Sequence, residues 1–107
     1  MLFNYFDIKN KVVVITGGAG LLGSAFSRAC AEYGAKVVIV DIDDDKGPVT
    51  ARKLISETKN KNIHFKKCDI TSEENVKRAF KDIVKQFGGV DVLVNNAGVA
   101  LNFLKDI

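Results

Sequence analysis

Apolar positions along the chain alternate between short β-branched runs and longer stretches at helical spacing. Val12-Val13-Val14-Ile15 is continuously apolar, as a strand buried on both faces requires. Over residues 21–33 the period turns helical. Leu22, Ala25, Phe26 and Ala29 are the expected inner face, and Gly34 closes the helix. Val37-Val38-Ile39-Val40 repeats the buried-strand pattern. Asp43-Asp44-Asp45 are expected in the acidic first turn of a second helix running to about residue 58, with Ala51, Leu54 and Ile55 inside. The pair Gly47-Pro48 fits that helix only in its first turn. Residues 63–68 read as a third strand, polar enough for a sheet edge. Thr71-Ser72-Glu73-Glu74 has the form of a capping box, with Thr71 as N-cap and Glu74 reaching back. The third helix carries Val76, Phe80, Ile83, Val84 and Phe87 on one stripe and stops at Gly88-Gly89. Residues 90–94 read as a fourth strand.

The order β-α-β-α-β-α-β predicts an α/β fold of Rossmann type. Its doubly wound parallel sheet has right-handed crossovers and helices on both faces. The 107 residues are expected to form one domain over positions 1–107. With 47% apolar and 27% charged residues, disorder is excluded. A net charge of +3, carried by scattered lysines, gives no basic stripe for nucleic acid. No apolar run approaches the roughly 20 residues of a membrane span. Asn4 and Asp7 come early without a basic lead, so no signal peptide is expected. Cys30 and Cys68 read as reduced thiols of a cytoplasmic protein, and with the single His64 they are too few for a metal site. His64, in a strand with no acid or nucleophile beside it, reads as structural.

Chemistry concentrates in Thr16-Gly17-Gly18-Ala19-Gly20-Leu21-Leu22-Gly23, between the first strand and the first helix. A helix N-terminus offers unpaired N–H groups and the positive end of a dipole, and glycines let a diphosphate approach the backbone. Both Gly18-x-Gly20-x-x-Gly23 and Gly17-x-x-Gly20-x-x-Gly23 are present, in the strand-then-helix context that gives such spacing meaning. Asp41 ends the second strand 18 residues after Gly23, where an acid accepts hydrogen bonds from the adenosine ribose. A 2′-phosphate there would face Asp41, Asp43 and Asp44, with no Arg or Lys expected beside them. NAD is therefore favoured over NADP.

These residues resemble the short-chain dehydrogenase/reductase family. The lead Phe6-Asp7-Ile8-Lys9-Asn10-Lys11 into Val12-Val13-Val14-Ile15-Thr16-Gly17 is similar to the family's entry into strand one. Cys68-Asp69-Ile70 is similar to its step after strand three, beside the adenine. Asn95-Asn96-Ala97-Gly98 is similar to its signature at the end of strand four, near the adenosine and the nicotinamide-side ribose. The resemblance implies strand order 3-2-1-4, the first half of the doubly wound sheet. It also implies an NAD site formed by Gly17, Gly20, Leu22, Gly23, Asp41, Asp69, Ile70, Asn95, Ala97 and Gly98. Leu21 stands where the commonest glycine pattern has glycine. Gly20 is closer to the spacing of the family's larger, sugar-nucleotide-modifying branch.

The family's chemistry resides in a Ser, a Tyr-x-x-x-Lys and a helix Asn beyond strand four. Tyr5 and Tyr33 lie in the N-terminal lead and the first helix instead, and Asn102 follows Gly98 too closely, so no catalytic residue is assigned. Two function classes follow. One is the cofactor half of an oxidoreductase that moves hydride between nicotinamide and a small alcohol or carbonyl substrate. The other is a non-catalytic nucleotide-binding or interaction module, from a truncated product, that self-associates through the open edge of strand four.

Overall fold

The computed structural model describes residues 7–96. In chain order the elements are β1 (Val12–Thr16), α1 (Leu21–Glu32), β2 (Lys36–Asp41), α2 (Lys46–Thr58), β3 (Ile63–Lys67), α3 (Glu73–Phe87) and β4 (Val92–Asn95). The four strands are parallel in the order β3-β2-β1-β4, as the resemblance implies. In this α/β sheet β1 is central, with Val14 beside Val38 on one flank and Leu93 on the other.

Continuous apolar runs in β1 and β2 serve two cores at once, because successive side chains point to opposite faces. Val13, Ile15, Val37 and Ile39 pack with Ala31, Ala51 and Leu54 of α1 and α2. Val12, Val14, Val38 and Val40 pack with Ala79 and Ile83 of α3. The more polar β3 lies at one edge, where its half-exposed residues belong.

Three details differ from the periodicity. First, α1 does not bury Leu22, Ala25, Phe26 and Ala29. It turns Gly23, Ser27 and Ala31 inward and leaves Leu22 59% and Phe26 42% exposed. The cause is close approach. A methyl group on Gly23 would overlap the Gly17 carbonyl, so only the helix's smallest side can seat against the loop. Ser27 tolerates that burial because its hydroxyl donates to the Gly23 carbonyl at 2.9 Å. Second, the three aspartates precede α2 and do not form its first turn. Asp43 Oδ1 accepts from the Asp45 and Lys46 amides at 3.1 and 2.8 Å, an Asx-type cap. Gly47 then leaves room for the Phe65 ring, which any β-carbon there would strike. Third, the N-cap of α3 is Ser72, not Thr71. Ser72 Oγ accepts from the Asn75 amide at 3.2 Å, while Thr71 is drawn to Asp69. On α3 the inward residues are Ala79 and Ile83, flanked by Val76, Phe80 and Phe87. Val84 is turned to solvent. The stop at Gly88 is as expected, with φ of +86°.

Candidate functional site

Parallel pairing brings the C-terminal ends of β1, β2 and β3 to one edge of the sheet, and the loops leaving them share a rim. A hollow of about 290 Å³ opens there, lined by Gly17, Val40, Asp41, Ile42, Cys68, Asp69, Ile70 and Thr71. Four of the residues singled out in the sequence, Gly17, Asp41, Asp69 and Ile70, thus share one wall. Val40 and Ile42 complete its apolar part together with the buried Cys68. Nothing in the hydrophobic pattern marked Cys68 or Thr71 for this position. Both follow from β3 ending where β2 ends.

The glycine loop is folded on itself. Gly17 has φ of +66°, its amide donates to the Val40 carbonyl at 2.7 Å, and its carbonyl accepts from the Gly20 amide at 3.1 Å. Gly18 lies over β2, where a β-carbon would sit 2.6 Å from Ile39 Cγ2. Gly18 and Gly23 are therefore glycine for internal packing. Gly20 differs. A β-carbon there would meet only the Gly17 carbonyl, at an ordinary 3.4 Å. Its missing side chain clears space outside the protein's own packing, as a backbone cradle for phosphate requires. Gly20 is also the N-cap of α1, and no side chain caps that helix. The first turn-closing bond is Ser24 N–H to the Gly20 carbonyl at 2.8 Å, so the Leu21, Leu22 and Gly23 amides precede the hydrogen-bond ladder. Leu22 enters this arrangement through its backbone, since its side chain is exposed. The uncapped amides, dipole end and cleared space together fit an anionic diphosphate.

Asp41 is held at the mouth by two backbone donors. Oδ2 accepts from the Ala19 amide at 3.1 Å and Oδ1 from the Asp43 amide at 3.0 Å. Each oxygen keeps a lone pair, so the carboxylate is oriented while still able to accept from a diol. Asp69 is oriented by Thr71, whose hydroxyl and amide donate to Oδ1 at 2.6 and 3.0 Å. The hydroxyl first, then the amide, holds the Asp69 carboxyl below its usual range. Burial, reinforced by the Asp69 charge, raises the Cys68 thiol, which makes it an inert wall and not a nucleophile.

Asn95 does not face this hollow. It ends β4 beside Thr16, whose hydroxyl donates to Asn95 Oδ1 at 3.2 Å. The Asn96 amide donates to Thr16 Oγ1 at 2.8 Å, and Asn96 Nδ2 reaches the Gly17 carbonyl at 3.5 Å. Thr16 and Asn96 thus latch β4 to the glycine loop at the switch point between β1 and β4, a role that sequence reasoning missed. Ala97 and Gly98 lie outside the described residues.

The expectation that no cation stands near the Asp41 to Asp44 acids needs correction. Lys67, brought alongside by the β2–β3 pairing, places Nζ 3.9 Å from Asp44 Oδ2. His64 packs edge-on against Phe87, with centroids 4.9 Å apart and far from the rim, and burial lowers its pKa. Among the described residues there is no cluster of three metal-ligating side chains, and no helix is long and apolar enough to cross a membrane.

Residues 11–106 match the family model described as short chain dehydrogenase. The chain is 42% identical over 97 residues to short-chain dehydrogenase reductase 3b of Arabidopsis thaliana, covering 91% of this chain and 36% of that protein. Among solved structures it is similar to an NAD+-bound xylitol dehydrogenase, with TM-score 0.80, 31% identity, and coverage of 85% of this chain and 34% of the other. It is also similar to the NADPH-dependent 3-quinuclidinone reductase of Rhodotorula rubra, with TM-score 0.77, 31% identity, and coverage of 87% and 35%. The chain spans about a third of the length of each.

Proposed function

Because this chain belongs to the short-chain dehydrogenase family, we propose that it is the part of an oxidoreductase that holds a nicotinamide dinucleotide. Hydride then moves between that cofactor and a small alcohol or carbonyl substrate. The observation that carries this reading is the meeting of the uncapped N-terminus of α1, cleared by Gly20, with the Asp41–Asp69 hollow at the sheet's C-terminal edge. The free amides at Leu21 to Gly23 and the space at Gly20 suit the diphosphate. Asp41 accepts from the adenosine ribose, Asp69 and Ile70 border the adenine, and Gly17 sets the turn. Asn95, Ala97 and Gly98 belong to the nicotinamide side of the same site. When bound, the cofactor supplies the hydride. This chain's residues bind and orient it, and none of them is assigned to proton transfer.

The preferred cofactor in this reading is NAD. Asp41 and Asp43 oppose a 2′-phosphate, and Lys67 offsets only the more distant Asp44. Of the similar structures one is NAD+-bound and another is NADPH-dependent, so the choice is tested directly. Calorimetric titration of the chain with NAD and NADP should give saturable binding with NAD the tighter ligand. Tighter NADP would overturn the Asp41 assignment, and absence of both would overturn the cofactor reading.

A second reading, an interaction module, is favoured by β4. It pairs only with β1 among the described strands and leaves Leu93 half-exposed. In that reading two copies pair through their β4 edges.

A further inference from the structure

Asp41 and Asp69 both line the hollow, yet their carboxylates are held in different ways. Asp41 takes one backbone donor on each oxygen. On Asp69 both donors converge on Oδ1, the Thr71 hydroxyl at 2.6 Å and the Thr71 amide at 3.0 Å. Asp69 Oδ2 accepts from no protein group among the described residues. A carboxylate is planar, so pinning Oδ1 from two directions also fixes where Oδ2 stands.

Thr71 is available for this because Ser72, not Thr71, caps α3. An Asx turn at Asp69 needs only the amide two residues on. The hydroxyl is a further, charge-assisted donor and the shorter of the two. Hydroxyl and amide together hold the Asp69 carboxyl below its usual range, so it is an acceptor with no proton to donate. Beside it, Val40, Ile42, Cys68 and Ile70 supply apolar surface for a flat ring.

Adenine and its 6-oxo counterpart, hypoxanthine, differ along one edge. Adenine carries an amino donor on C6, whereas a 6-oxo purine carries an acceptor there and its donor on the adjacent ring nitrogen. A carboxylate free to turn can follow the donor from one position to the other. A pinned one cannot, and its unshared oxygen then faces an acceptor. We infer that Thr71 is a positioning residue for the base: by fixing Asp69 it makes the hollow select a 6-amino purine over a 6-oxo purine. The inference rests on the reading of this hollow as the adenine side of a dinucleotide site.

The test compares NAD with nicotinamide hypoxanthine dinucleotide, which differs only along that edge, by calorimetric titration of the 107-residue chain. The parent should bind NAD at least about tenfold more tightly than the hypoxanthine form. Thr71→Val keeps the shape and the amide but removes the hydroxyl, and should shrink that preference to about threefold or less. Thr71→Ser should restore it. In the free chain, carbon NMR should show the Asp69 carboxyl titrating higher in Thr71→Val than in the parent or in Thr71→Ser. A purely structural role for Thr71 would lower the thermal midpoint or weaken both dinucleotides equally. A preference unchanged in Thr71→Val, or absent from the parent, would overturn the inference and leave the cofactor reading intact. Failure of the parent to bind either dinucleotide would overturn both.

Discussion

Gly20 and Gly23 illustrate how identical residues three positions apart serve different ends. Gly23→Ala drives a methyl group into the Gly17 carbonyl, and backbone cannot step aside cheaply. A loss of about 2 kcal/mol or more is expected in urea unfolding. Gly20→Ala meets only an ordinary contact, so stability should stay within about 0.5 kcal/mol while NAD affinity falls at least about tenfold. Equal damage to stability from both changes would contradict the division. Asp41→Ala removes a carboxylate already aimed by the Ala19 and Asp43 amides. Calorimetry should record about a tenfold loss for NAD and a smaller loss for NADP, since the change also lifts the repulsion on a 2′-phosphate. His64 gives a pH dependence of opposite origin. Burial holds its imidazole below the ordinary 6.5, so protons bind the unfolded chain more readily. Its stabilising contribution is complete above that value and is lost as pH falls below it toward the folded-state pKa. Denaturant midpoints measured between about pH 7.5 and about pH 5 should drop in the parent and drop less in His64→Phe.

Helices and strands were read correctly in number, order and type, because β-branched runs and glycine stops are local signals. Helix faces were read less well. On α1 four apolar residues at ideal spacing predict the core face, yet Gly23, Ser27 and Ala31 occupy it. Periodicity measures where apolar residues are, whereas seating is decided by which side can come closest. At the start of α3, Thr71 and Ser72 are chemically interchangeable as caps. The choice was made by Asp69, which engages Thr71 through both its hydroxyl and its amide. Ser72→Ala should therefore cost about 1 kcal/mol in thermal or urea unfolding, and Thr71→Ala should act on Asp69 and the hollow beside it, leaving the helix end intact. A larger helical loss from Thr71→Ala than from Ser72→Ala would reverse this assignment.

At the scale of the whole molecule, the sheet places its most apolar strand at the centre, a polar strand at one edge and a half-exposed apolar strand at the other. If β4 meets a second copy, sedimentation should detect a concentration-dependent dimer that Leu93→Lys abolishes, since a charge there opposes edge pairing. An unchanged sedimentation profile in the variant would assign association to another surface.

The chain's own residues determined the alternation of strand and helix, the parallel class of sheet, the glycine cradle and the acid that follows it. All are local or carried by spacing along one strand–loop–helix unit. Tertiary structure decided which groups meet. Parallel register put Asp69 and Cys68 beside Asp41, carried Lys67 to Asp44, and let Thr16 join Asn95 and Asn96 to the loop. Such juxtapositions depend on strand order and on how closely helices pack, and both are set by contacts between residues far apart in the chain.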